Sequence, residues 1–188
     1  MYENPWAQTA SPIAVPCGPA FPVAMVTGHR PKLLTPAEVA WSQAALMNVA
    51  WRLRSVYGTV RGLSGFALGA DTWWALGVLA CGMSLEAHIP FEDQPSGWGE
   101  VDRHLWSELR ARAASETVAG GKAYDVKMLH ARNDAMLDAT RDGSGVVVVL
   151  YKPGTPGGTR SVVDKADKMG LPQLLLDPGT RTVTRRGW

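Results

Sequence analysis

From residue 21 onward, short apolar runs alternate with stretches whose apolar residues recur at helical spacing. "FPVAMVTG" (Phe21–Gly28) is an apolar run closed by glycine, the pattern of a buried strand. A helix start follows: Thr35 as N-cap, Pro36 at the first helical position and Glu38 closing a capping box. Val39, Leu46, Ala50, Leu53 and Val56 then mark one helical face, and Gly58 ends it. "TVRGLSGFA" predicts a second strand, Asp71–Gly82 a second helix, and "SLEAHIPF" (Ser84–Phe91) a third strand. After a loop from Glu92 to Gly99 come a helix over about Glu100–Ala114 and a weak strand in "ETVAG". Asp125 caps a helix carrying Leu129, Met136, Leu137 and Thr140. "GVVVVLYK" (Gly145–Lys152) has four consecutive valines, as in a strand buried on both faces. "PGTPGGT", a helix to Gly170 and the strand "LPQLLLD" complete the series.

This alternation predicts an α/β fold, a single domain built as a Rossmann-like doubly wound, mostly parallel sheet with helices on both faces. The domain is expected over residues 21–177. Residues 1–20, with Pro5, Pro12, Pro16 and Pro19, read as a proline-rich arm. Residues 178–188 ("PGTRTVTRRGW") read as a basic tail, flexible or bound at an edge. Ligands of such sheets bind at the carboxyl ends of the strands, so the strand-end loops are where chemistry is expected.

Composition narrows the classes. With 188 residues, 46% hydrophobic and 19% charged, the chain reads as globular rather than disordered. A formal net charge of +2 provides no strong field for nucleic acid or membrane. Cys17 and Cys81 form no C-x-x-C pair and suggest free thiols in a reducing interior. No apolar run reaches the ~18–20 residues of a membrane span, and no signal pattern opens the chain. A cytoplasmic protein is expected. Trp41, Trp51 and Trp106 supply more aromatic surface than one small core needs, which suggests a homo-oligomer.

Four loops stand out. In "TGHRP", Thr27 and Gly28 end the first strand, His29 is a donor or proton shuttle, and Arg30 offers a bidentate fork for an anion. In "GLSGFALGADTWWALG", Gly65 and Gly69 keep a strand-to-helix turn small. The N–H groups of residues 69–72, Ala70 among them, are expected to face an anion. Asp71 there either caps the helix or accepts from a ribose hydroxyl. In "IPFEDQPSGW", Pro90 and Phe91 end a strand, Glu92, Asp93 and Gln94 suit a sugar or base, and Trp98 suits stacking. "KPGTPGGTRS" is the strongest signal: Gly157 and Gly158 leave backbone open to phosphate oxygens, with Thr159 at the expected N-cap. The G-K-[ST] ending of a Walker loop is absent. On the helix before the valine strand, Arg132 and Asn133 could reach a phosphate over the sheet edge.

Other chemistries lack their residues. His29, His88, His104 and His130 show no metal spacing, so no metal is expected. There is no G-x-S-x-G element, and no G-x-G-x-x-G follows the first strand, so no dinucleotide cofactor is expected either.

"VTGHRP", "GLSGFALGAD", "IPFEDQPSGW", "RNDAML" and "GGT", in that order, resemble the YpsA-like branch of the SLOG superfamily. That superfamily also holds the LOG-type phosphoribohydrolases and the DNA-processing protein A family, which has a similar S-G-x-A-x-G-[IA]-D turn. The resemblance spans roughly residues 21–177. It implies nucleotide-type ligands and contacts at Gly28, Arg30, Gly69, Asp71, Arg132, Gly157, Gly158 and Thr159. LOG-type enzymes read P-G-G-x-G-T-x-x-E, whose glutamate works with an arginine on the preceding helix. Here Arg132 lies on that helix, but Val162 stands three residues after Thr159 and the loop has one glycine fewer. N-glycoside cleavage needs a nearby carboxylate, for which Asp71, Glu92, Asp93 and Asp134 are the candidates. Three readings follow. The first is a sensor or sequestering module for a nucleotide. The second is a hydrolase of a nucleoside 5′-monophosphate, with Asp71, Glu92 and Arg132 as its catalytic candidates. The third, less favoured, is a single-stranded DNA-handling protein.

Overall fold

The structure is a computed structural model that describes residues 20–188 apart from residue 156. The proline-rich arm and Cys17 therefore lie outside the described residues. Among the described residues seven strands form one sheet in the order β4-β3-β2-β1-β5-β6-β7. They are β1 (Val23–Gly28), β2 (Arg61–Ser64), β3 (Ser84–Ile89), β4 (Ser115–Val118), β5 (Val146–Leu150), β6 (Gln173–Asp177) and β7 (Thr182–Arg186). All pairs are parallel except β6–β7. The strand order reverses between β1 and β5, which places the topological switch point there.

Five α-helices connect the strands: α1 (Pro36–Val56), α2 (Ala70–Ala80), α3 (Glu100–Ala111), α4 (Val126–Asp142) and α5 (Gly158–Lys168). Core contacts place α1, α2 and α3 on one face and α4 and α5 on the other. The valine strand β5 shows why. Val146, Val148 and Leu150 enter the larger core cluster, with Leu46, Leu53 and Trp74. Val147 and Val149 enter the smaller one, with Met136, Leu137 and Val162. A strand covered on both faces has no position for a polar residue.

The local signals act as expected. The Thr35 hydroxyl accepts from Glu38 N–H, and Glu38 accepts from Thr35 N–H at 2.7 Å. Gly58 adopts φ 70°, the left-handed geometry of a helix-terminating glycine. Of the adjacent tryptophans, Trp74 is fully buried and Trp73 packs on the core edge. Trp106 is buried and belongs to the core, so it offers no surface to another copy. Trp51 is 61% exposed. The basic tail is bound at an edge: it supplies β7, antiparallel to β6, and ends with Trp188 edge-on to Phe21 and Tyr57. Among the described residues no helix is long and apolar enough to cross a membrane.

Candidate functional site

The β1–β5 switch point opens into a cavity of about 240 Å³. Thr27, Gly28, His29 and Arg30 line it from the end of β1. Arg132 and Asn133 line it from α4, Asp71 from α2, and Gly157, Gly158 and Thr159 from the start of α5. Ten of the predicted contacts thus share one cavity. A neighbouring cavity of about 390 Å³ adjoins it through Arg30 and Leu129 and contains Phe91, Asp93, Gln94 and Trp98. Tyr124, which the sequence reading did not single out, stands edge-on to Phe91 there, with ring centroids 5.5 Å apart.

The α5 wall is the open one. Gly157 adopts φ 139° and forms the N-cap, in place of the expected Thr159, which lies inside the helix. Among the described residues no side chain caps this end, and a Cβ at Gly154, Gly157 or Gly158 would meet nothing within 4 Å. Uncapped first-turn N–H groups and the positive end of the helix dipole therefore border the cavity. Arg30 adds an exposed guanidinium with no ion pair among the described residues. Tyr151 and Thr155 also line this wall, the Tyr151 hydroxyl donating to the Thr155 carbonyl at 2.8 Å. Their position directly after β5 was the signal that could have found them.

The α2 wall is built differently. Arg132 is buried and donates from Nη1 to Asp71 Oδ2 at 3.2 Å, while its Nε has no partner among the described residues. Asp71 also accepts from Ala67 N–H at 3.3 Å. Burial pushes the Asp71 carboxyl above its ordinary range, and Arg132 opposes that shift. Asp71 is therefore not the N-cap, which is Gly69, and its Oδ2 is taken by Arg132 and Ala67 while the residue borders the cavity. The expectation that the 69–72 amides face an anion also fails in part. Gly69 N–H donates to Thr72 Oγ1 and Ala70 N–H to the His29 carbonyl. Gly65 has its own reason: a Cβ there would fall onto the Arg132 guanidinium. A Cβ at Gly28 would collide with Ala70 and Leu150, so that glycine serves strand–helix packing. Directly after Gly65, Phe66 is held at φ 57°, an unusual conformation for a bulky residue.

His29 is buried, and its Nε2 accepts from Lys152 N–H at 2.9 Å. Burial, and next the Lys152 charge, lower its pKa, so the ring is neutral and Nε2 is already engaged. It holds the β1 and β5 loops together rather than offering Nε2 to a ligand. Lys152 in turn donates to Glu38 at 2.8 Å, and this contact holds the Glu38 carboxyl down at about 2.

Several candidates stand outside the switch-point cavity. Gln94 is buried, donating to the Gly65 carbonyl at 3.0 Å and accepting from Trp106 Nε1 at 3.2 Å, so its amide braces the turn. Pro90 is buried and, like Glu92, lines neither cavity. Asp134 pairs with Lys165 outside both cavities. Trp98 packs against the core edge while bordering the second cavity. No group of histidine, cysteine and acidic residues suited to a metal occurs among the described residues.

No family model and no curated protein matches the chain. Solved structures do match. The chain has the fold of DNA-processing protein A. The protein from Helicobacter pylori, described for its single-stranded DNA binding mode, superimposes with a TM-score of 0.62 at 19% identity, over 85% of this chain and 71% of that one. The Streptococcus pneumoniae protein gives 0.57 at 17% identity, over 82% of this chain. The chain spans about half of that protein's length (50%). At these identities the likeness establishes the Rossmann-like architecture expected from the motifs.

Proposed function

We propose that the switch-point cavity binds a nucleotide or nucleotide-derived ligand, with its phosphate against α5, and that the protein senses or sequesters it. The observation that carries this is the uncapped α5 N-terminus, with its two open glycines, facing the guanidinium of Arg30 across one cavity. A phosphate there gains backbone N–H donors, a helix dipole and a planar fork. The adjoining cavity, lined by Phe91, Tyr124 and Trp98, suits the base of the same ligand.

Sequestration is preferred over hydrolysis because the acids are ill placed. Asp71 has its Oδ2 engaged by Arg132 and by Ala67 N–H. Val162, where LOG-type enzymes carry their glutamate, is buried in the smaller core cluster. Of the four acids only Asp93 lines a cavity without such a commitment.

The experiment is a thermal-shift screen with nucleoside monophosphates, ADP-ribose, NAD and cyclic nucleotides, with product analysis of each hit. A ligand at 100 times its Kd adds about 2.7 kcal/mol to stability. The expected result is a hit recovered intact, whose shift disappears in Arg30→Ala. A hit returned as base and sugar phosphate would replace sequestration with catalysis, and Asp93→Asn would then be the first variant to make. No shift with any compound would overturn the proposal.

A further inference from the structure

A second cleft, of about 480 Å³, lies between α1 and the β6–β7 edge and shares no lining residue with the switch-point cavity. Its floor is apolar, formed by Ala45, Val49 and Leu53 of α1 and Leu174 of β6. Trp41, Tyr57 and Trp188 add aromatic walls. Three arginines stand over this floor: Arg52 from α1, Arg181 from the β6–β7 turn and Arg185 from β7. All three are exposed, and none forms an ion pair among the described residues. No aspartate or glutamate lines the cleft among those residues.

One of the arginines is also positioned. The Arg185 guanidinium lies 4.9 Å from the Trp188 ring centroid and 5.9 Å from that of Tyr57. Cation–π contact holds its fork over the aromatic wall. Arg181 adopts φ 57°, a left-handed conformation that a turn ordinarily gives to glycine or asparagine. Strain of this kind persists only where the surroundings enforce it. Three like charges beside a low-dielectric wall raise the local potential, and among the described residues no aspartate or glutamate lines the cleft to screen them.

We infer that this cleft is a second binding site, for an organic anion with a flat apolar or aromatic body. The body lies on Ala45, Val49, Leu53 and Leu174, and its carboxylate, sulfonate or phosphate meets the arginine forks, which suit planar bidentate recognition. The volume falls within the range of small-molecule sites. This inference is independent of the proposed function, because a failure at either cavity leaves the other untouched.

The test uses 8-anilinonaphthalene-1-sulfonate with the full chain, following its fluorescence and the energy transferred from tryptophan. A saturable single site is expected. Arg52→Gln with Arg185→Gln should weaken it at least tenfold, and Ala44→Trp, at an exposed position on the cleft wall, should abolish it. Arg30→Ala should leave it unchanged. Circular dichroism and Tm establish that each variant is folded. Competition by 1-naphthoate or by 1-naphthyl phosphate would support the site and show which anion it prefers. Binding that is equally tight in the arginine and Ala44→Trp variants, or competition by neutral naphthalene as strong as by the anions, would overturn it.

Discussion

Two glycine-rich strand-to-helix turns, "GLSGFALGAD" and "KPGTPGGTRS", look alike in sequence and do opposite things in space. In the first, the room that glycine leaves is already filled. Arg132 occupies the space beside Gly65, and the His29 carbonyl occupies the space beside Gly69. The amides of Gly69 and Ala70 are consumed inside the protein. In the second, Gly154, Gly157 and Gly158 face open space and the helix end is uncapped. A glycine that makes room for the protein's own guanidinium is scaffold, while one that makes room for nothing visible is available to a ligand. The first turn fixes the buried Arg132–Asp71 pair, and the second is the surface proposed to meet the ligand.

The largest effect is therefore expected at Gly65. Its Cβ would displace the Arg132 guanidinium and separate it from Asp71. Breaking a buried pair costs about 3–5 kcal/mol, so Gly65→Ala should lose that much in urea unfolding. A loss below about 1 kcal/mol would show that the turn tolerates a side chain and would dissolve the contrast between the two loops.

Next in size is the pair itself. Asp71→Ala leaves a buried guanidinium with no counter-charge and should cost about 3 kcal/mol. Arg132→Met should cost a similar amount by stranding the carboxylate. The double variant should cost much less than the sum of the two, because it leaves no unpaired charge. Additive losses in that double-mutant cycle would mean the two residues act separately.

A smaller effect concerns His29, which ties the β1 loop to the second glycine turn through Lys152 N–H. Its pKa is lowered from 6.5 in the folded state, mainly by burial, so the unfolded chain binds the extra proton first. Stability should then be complete above pH about 6.5 and be lost as pH falls through the folded-state value. His88, also lowered mainly by burial, adds to the same trend. His29→Gln keeps an acceptor without the titration and should flatten the slope of the urea midpoint between pH 7.5 and 5.5. An unchanged slope would assign the effect elsewhere.

These contrasts mark what the sequence could reveal. The strands, the α1 capping box and the clustering of strand-end loops were legible because they depend on local pattern and on a general rule of parallel sheets. The Asp71–Arg132 pair was not, because its members lie 61 positions apart. That Gln94 also braces the turn was not legible either, since only the fold brings Gly65 and Trp106 to its amide. The arginine cleft was hidden for the same reason. "TRTVTRRGW" reads as a basic tail until β7 sets Arg185 and Trp188 beside α1.

The smallest effect on stability is expected at Gly158, and it tests the comparison most directly. This residue opens α5, has no positive φ, and a Cβ there would meet no atom within 4 Å. Gly158→Ala should therefore leave stability unchanged or raise it by about 0.4–1 kcal/mol, through the reduced freedom of the unfolded chain. The same methyl would project beside the amides assigned to phosphate. The ligand-induced rise in Tm should then shrink although the unliganded Tm does not fall. Gly65→Ala should do the reverse, lowering the unliganded Tm sharply. If Gly158→Ala instead lowers the unliganded Tm and leaves the ligand shift intact, the second turn is scaffold like the first, and the phosphate site must lie elsewhere along the cavity.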